Sequence, residues 1–231
     1  MKDNYDITLA FKKAWQKKIL DWYFVNKRDL PWRKKTYQNF YKIWISEIML
    51  QQTTVTTVIP YYKRFIKKWP SLKSFLHATL EEILYEWQGL GYYQRAKNLF
   101  KAKEFLKSNK LIIDSKNLMN IPGIGEYTSS SISAILKDEP CAVIDGNIER
   151  ILLRVFDLNR SEKNFKNNIK IIAQKLTPSK NNKYYFQSLM DLANIICKSQ
   201  TPHCILCPIK KFCKSNGSIN FEPKKKNYKI Y

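Results

Sequence analysis

Four cysteines fall within 17 residues near the end of the chain, spaced Cys197-x6-Cys204-x2-Cys207-x5-Cys213. No other feature limits the fold as sharply, because a loop so dense in thiols must gather around something. Four thiolates this close can wrap one metal ion or one iron–sulfur cluster, and the pattern points to a reducing compartment. Zinc sites more often use two short C-x-x-C knuckles. The spacing is not a ferredoxin run either. Lys198, His203, Lys210, Lys211 and Lys214 decorate the loop. His203 reads as a solvent or phosphate contact, and the fifth cysteine, Cys141, as a small buried hydrophobe.

The rest of the chain reads as helix. Ile7, Phe11, Trp15, Ile19, Trp22 and Val25 recur near a 3.6-residue period. Pro31 ends that segment. Further helices are expected over Tyr41–Thr53, Glu126–Leu136, Asp145–Phe156, 164–177 and 183–197. Pro60, Pro70 and the Gly89/Gly91 pair are read as breaks, and Asp114 and Ser115 as N-cap signals. Glycine is scarce, 6 of 231 residues, against an average near 7%. That disfavours turn-rich β architectures and glycine-rich nucleotide loops. The expected class is all-α, in one large domain or two intertwined ones. No apolar run approaches the roughly 20 residues of a membrane span, and the N-terminus lacks a signal-peptide stretch.

Charge narrows the partner. The chain carries 41 Lys and Arg against 19 Asp and Glu, a net +22. Such an excess attracts polyanions, nucleic acid first and acidic lipid second. The lysines are spread along the whole chain, a pattern that compositional drift also gives.

Three motifs carry chemistry. In LMNIPGIGEYT (118–128), Gly123 and Gly125 permit a tight turn whose backbone N–H groups point outward at a helix start, a cradle for a phosphate. An ordinary helix–helix turn has similar glycines. In VIDGNIER (143–150), Asp145 opens a helix, where it serves as N-cap. A hairpin followed by an Asp about 20 residues on is also the signature of base-excision glycosylases. There an anion faces the positive charge that develops on the sugar. In IWISEIMLQQT (43–53), Glu47 lies within an apolar helix. It either turns to solvent or a lysine, or stays partly buried as a proton donor.

Together LPWR (30–33), WISEIMLQQT (44–53), VIPYYKRF (58–65), GLGYYQRAKNL (89–99), IPGIGEYT (121–128), VIDGNIER (143–150), MDLANIIC (190–197) and the four-Cys loop resemble adenine DNA glycosylases of the MutY type. These belong to the helix-hairpin-helix/endonuclease III superfamily, and the resemblance covers roughly residues 7–215. It implies an all-helical, two-lobed fold with a DNA cleft between the lobes. Residues 28–136 would form the lobe with the hairpin. Residues 1–27 and 137–231 would form the lobe with the cluster loop at 197–213. Cys197, Cys204, Cys207 and Cys213 would hold one [4Fe–4S] cluster per chain.

The same resemblance assigns roles. Glu47 would protonate the adenine ring, and Asp145 would stabilise or briefly trap the deoxyribosyl cation. Tyr127 stands where endonuclease III has its Schiff-base lysine, so a monofunctional glycosylase is implied. Asn147 would orient the sugar site, and Trp32 and Arg33 would line the base pocket. Gln52, Thr53 and Tyr92 would fill the space left by the flipped base. Gly123 and Gly125 would seat a backbone phosphate. The expected partner is mismatched double-stranded DNA, met by a monomer in a bacterial cytoplasm near the nucleoid, with no membrane. Phe40 replaces a usual proline, and the 34–40 loop is slightly long. The chain, ending at Tyr231, is expected to lack the domain that recognises 8-oxoguanine. Thymine (T·G) glycosylases of the same superfamily are the runner-up, and a non-catalytic iron–sulfur DNA-binding module is a third reading.

Overall fold

A computed structural model of the chain describes residues 7–215. Among these residues the secondary structure is helical throughout, without a strand, so the all-α expectation holds. The chain divides into two compact units. One runs from Arg28 to Cys141; the other joins the residues up to Lys27 with those from Ala142 on.

The Arg28–Cys141 unit holds α2 (Phe40–Leu50), α3 (Val55–Lys68), α4 (Leu72–Phe75), α5 (Leu80–Trp87), α6 (Gln94–Ser108), α7 (Ser115–Leu118) and α8 (Glu126–Lys137). Local chemistry starts most of these. Asn39, Thr54, Ser71, Thr79 and Asp114 each place a side-chain oxygen on a first-turn N–H, satisfying donors that a helix start leaves open. The core is aromatic: Trp44, Tyr62, Phe65, Phe75 and Trp87 are fully buried. Phe65 contacts Trp69, Phe75 and Trp87 with ring centroids 4.7, 5.5 and 6.3 Å apart. Helix α3 continues through Pro60, where a break was expected from the sequence. A proline inside a helix costs about 3 kcal/mol. Burying Val58, Tyr62, Phe65 and Ile66 on one face returns roughly 1.5–3 kcal/mol for each large side chain, which outweighs it.

The second unit holds α1 (Leu9–Asn26), α9 (Gly146–Phe156), α10 (Phe165–Leu176) and α11 (Asn182–Ile195). Trp15, Ile19 and Tyr23 form the buried stripe of α1. Trp15 Nε1 donates to Tyr185 Oη at 2.9 Å, and Tyr23 Oη to Gln187 Oε1 at 2.7 Å, both on α11. Two short 3-10 turns, Cys204–Leu206 and Lys210–Phe212, shape the cysteine loop. Phe212 anchors it, its ring 5.1 Å from Phe11 and 6.2 Å from Trp15.

Candidate functional site

In the Arg28–Cys141 unit the site begins with α2. Its side chains from Phe40 to Met49 are buried except Lys42, Glu47 among the buried ones. The α2 helix packs on α8, whose Thr128, Ser129, Ser130, Ser131 and Ser133 are all buried. These small side chains make room for close helix contact. Ser131 uses that contact to donate its hydroxyl to Glu47 Oε2 at 2.8 Å. Glu47 is therefore buried against α8 rather than exposed to solvent. Nothing local in the sequence marks Ser131, because its partner lies 84 residues away.

The turn after α2 differs from the sequence expectation. The helix ends at Leu50 rather than Thr53, and Gln52 is left-handed at φ 57°. The cause is Arg95, on the first turn of α6. Its Nη1 donates to the carbonyls of Ile48, Met49 and Gln51 at 3.1, 2.7 and 2.5 Å. Its Nη2 reaches Thr53 Oγ1 at 3.0 Å and the Gly91 carbonyl at 3.1 Å. A charged fork on the last carbonyls of α2 replaces the helix's own next turn. Gln52 and Tyr92 are exposed, while Thr53 is half-buried. One signal for Arg95 was available: it shares the buried face of α6 with Leu99, Ala102 and Leu106.

The hairpin lies between α7 and α8. Gly123 is left-handed (φ 81°), and a Cβ there would sit 2.7 Å from Asn98 Cβ on α6. Gly125 is the N-cap of α8, and a Cβ there would meet nothing within 4 Å. Only Gly123 is thus required by the backbone. Tyr127 is half-buried in the first turn of α8. Trp32 and Arg33 lie on a 3-10 turn, Pro31–Arg33. Trp32 is buried edge-on against Tyr62 at 5.3 Å, and Arg33 Nη1 donates to the Arg28 carbonyl at 3.3 Å.

In the other unit Asp145 is the N-cap of α9. Its Oδ1 accepts from the Asn147 and Ile148 N–H groups at 3.0 and 2.9 Å, and its Oδ2 from Asn147 Nδ2 at 2.7 Å. Burial pushes this carboxyl above the usual aspartate range, while those donors and nearby Arg150 pull it down less strongly. Arg150 extends the chain of contacts. Its Nη2 donates to Asn147 Oδ1 at 3.2 Å, and its Nε to the Cys197 carbonyl at 2.9 Å. Hydrogen bonds thus connect Asp145 to the cysteine loop through Asn147 and Arg150.

Cys197, Cys204, Cys207 and Cys213 line one cavity, with Arg154 and Ile209 in its wall. Arg154 Nη1 donates to Cys197 Sγ at 3.3 Å and to the Lys198 carbonyl at 2.6 Å. Burial pushes the Cys207 thiol up to about 11. An N–H from Ile209 opposes this, and the other three thiols add to the rise. Among the described residues no three His, Cys, Asp or Glu side chains converge as ligands of a metal ion.

An all-helical fold with a glycine hairpin, and an Asp-capped helix 20 residues beyond it, defines a class of DNA-repair proteins. Residues 45–192 match the HhH-GPD superfamily of base excision DNA repair proteins, and the chain belongs to that superfamily. It is 38% identical over 217 residues to the adenine DNA glycosylase of Buchnera aphidicola from Schizaphis graminum, covering 90% of this chain and 62% of that protein. Against the human adenine DNA glycosylase the identity is 34% over 221 residues, 90% of this chain and 40% of that one. The chain therefore spans about 60% of its bacterial relatives' length, or less. A solved thermostable thymine-DNA glycosylase superposes with a TM-score of 0.80 at 26% identity, covering 93% of this chain and all of that one. An endonuclease III trapped on DNA shares the fold at a TM-score of 0.74 and 20% identity, covering 90% and 97%.

Proposed function

We propose that this chain is a monofunctional DNA glycosylase that hydrolyses the N-glycosidic bond of adenine mispaired with 8-oxoguanine or guanine. The observation that carries the reading is Glu47, a carboxyl inside the apolar α2 and held there by Ser131. Such a group can hand a proton to a ring nitrogen of the base. The bond's electron pair then leaves with a neutral purine instead of an anion.

Asp145 supplies the anion for the cationic sugar, and water completes the cleavage at C1′. Its burial supports this role, since a carboxylate poorly solvated at rest gains most when a cation forms beside it. Asn147, bonded to Asp145 Oδ2, orients that carboxylate. Tyr127 has no amine to form an imine, so the abasic strand stays intact until alkali is added. Trp32 and Arg33 border the base, and Gln52, Thr53 and Tyr92 occupy the space it vacates. The Gly123–Gly125 turn seats a phosphate on the first turn of α8. Mismatched duplex is the partner, bound by a monomer in the cytoplasm of a bacterium, at the nucleoid.

The four cysteines fit a [4Fe–4S] cluster. The donor set is all thiol and lines one cavity, so Cys197, Cys204, Cys207 and Cys213 would hold the cluster there. When bound, it would supply positive charge that keeps the four crowded thiolates deprotonated and the loop folded around them. Its lysines then face DNA phosphates.

Superposition of 93% of this chain on the thymine-DNA glycosylase favours one alternative, release of thymine from T·G. A cleavage panel separates the two: A·8-oxoG, A·G, T·G and U·G duplexes, with and without alkali. Adenine release with breaks only after alkali supports the proposal. Thymine release without adenine release refutes it.

A further inference from the structure

Apart from Asp138, the left-handed C-cap of α8 (φ 56°), two residues of the Arg28–Cys141 unit hold a left-handed backbone without being glycine, yet expose their side chains: Gln52 (φ 57°) and Tyr92 (φ 51°). Such conformations cost free energy and persist only where the surroundings over-determine them. Both lie beside the same group. The Arg95 guanidinium is buried, and its acceptors bracket the two residues: Gln51 O and Thr53 Oγ1 around Gln52, and Gly91 O before Tyr92. Its faces lie near the rings of Trp87 and Tyr92, at 5.4 and 5.3 Å. Trp87 Nε1 shares the Gly91 carbonyl at 3.1 Å. No carboxylate within salt-bridge distance of Arg95 is found among the described residues. A buried cation that spends its donors on neutral oxygens of a helix end and two loops is costly as a mere core residue.

We infer that Arg95 is a positioning residue that locks both loops so that Gln52 and Tyr92 stand preformed for the space a flipped base leaves. The inference rests on the proposed glycosylase reading and adds to it the residue that pre-organises the flip. A lysine cannot replace Arg95, because a point charge with three donors does not span this fork of acceptors.

The test places 2-aminopurine at the target position of a duplex and reads its fluorescence as the base leaves the stack. Arg95→Lys is expected to lower extrusion about tenfold while leaving affinity for undamaged duplex within about threefold. Thr53→Val, which removes one arm of the clamp, is expected to lower it about threefold. Arg95→Lys placed on Tyr92→Ala should add little further loss, because both act through one loop. Wild-type extrusion in folded Arg95→Lys overturns the inference. Should that variant melt below the assay temperature, wild-type extrusion in Thr53→Val overturns it instead. A wild-type protein that extrudes no base and cuts no duplex of the panel overturns the proposed function, and this inference with it. Extrusion lost in Arg95→Lys alone leaves both standing.

Discussion

The Arg28–Cys141 unit and the cysteine loop of the other unit hold their chemistry in opposite ways. Glu47 sits inside a helix packed among fully buried aromatic side chains. The cysteine loop has few apolar anchors, Ile209 and Phe212, and is otherwise tied down by hydrogen bonds from Arg150 and Arg154 and by backbone bonds such as Lys214 N–H to the Val155 carbonyl. Ile205 and Leu206, at its centre, are 90% and 69% exposed. The first region is stable by apolar burial, so its site can be altered without loss of fold. The second has too little core to order itself, which is why a bound cluster is the proposed source of its structure.

The largest effect expected from this contrast is loss of a cysteine. Cys204→Ser should abolish iron retention and leave hydrogen exchange across 197–213 close to that of a free chain, with 28–141 still protected. Equal loss of protection in both regions would break the comparison.

Asp145→Asn comes next. An asparagine keeps the N-cap of α9, yet removes the anion, so excision should fall about 10²–10³-fold. The linkage sign follows from the raised carboxyl. The folded state then holds its proton more tightly than the unfolded chain. Stability contributed by the protonated form is complete below the ordinary aspartate range and declines as pH rises through the folded value. Asp145→Asn should lose that decline and be at least as stable at neutral pH, by thermal melting across pH. A variant clearly less stable at neutral pH would show the carboxylate to be structural.

The two hairpin glycines should separate stability from binding. Gly123→Ala meets Asn98 and a left-handed backbone, and should cost roughly 1–3 kcal/mol in denaturant melts. Gly125→Asp has open space and caps α8. It should keep stability while lowering affinity for every duplex about three- to tenfold, by repelling a phosphate. Unchanged affinity in Gly125→Asp would remove the hairpin from the interface.

The smallest effect belongs to Ser131→Ala. Loss of one buried hydroxyl donor to Glu47 should cost about 1 kcal/mol, a fall of about 2–4 °C in Tm. It should also shift the pH–rate profile of excision. A shift in Tm with no change in profile would make Ser131 a packing residue only.

The sequence by itself determined what is local. Helix starts were legible because Asp114 and Asp145 cap the turns that follow them within three residues. The four-Cys spacing and the glycine turn were legible for the same reason, since each is a constraint between near neighbours. Tertiary structure decided the rest. Helix α2 stops at Leu50 because an arginine more than 40 residues on takes its last carbonyls. Glu47 is interior because α2 packs on α8, where Ser131 meets it. Gln52 and Tyr92 are left-handed although neither residue type asks for it. These outcomes depend on which side chains packing brings together. A buried group takes whichever partner the fold supplies, since leaving it unpaired costs more than any local preference.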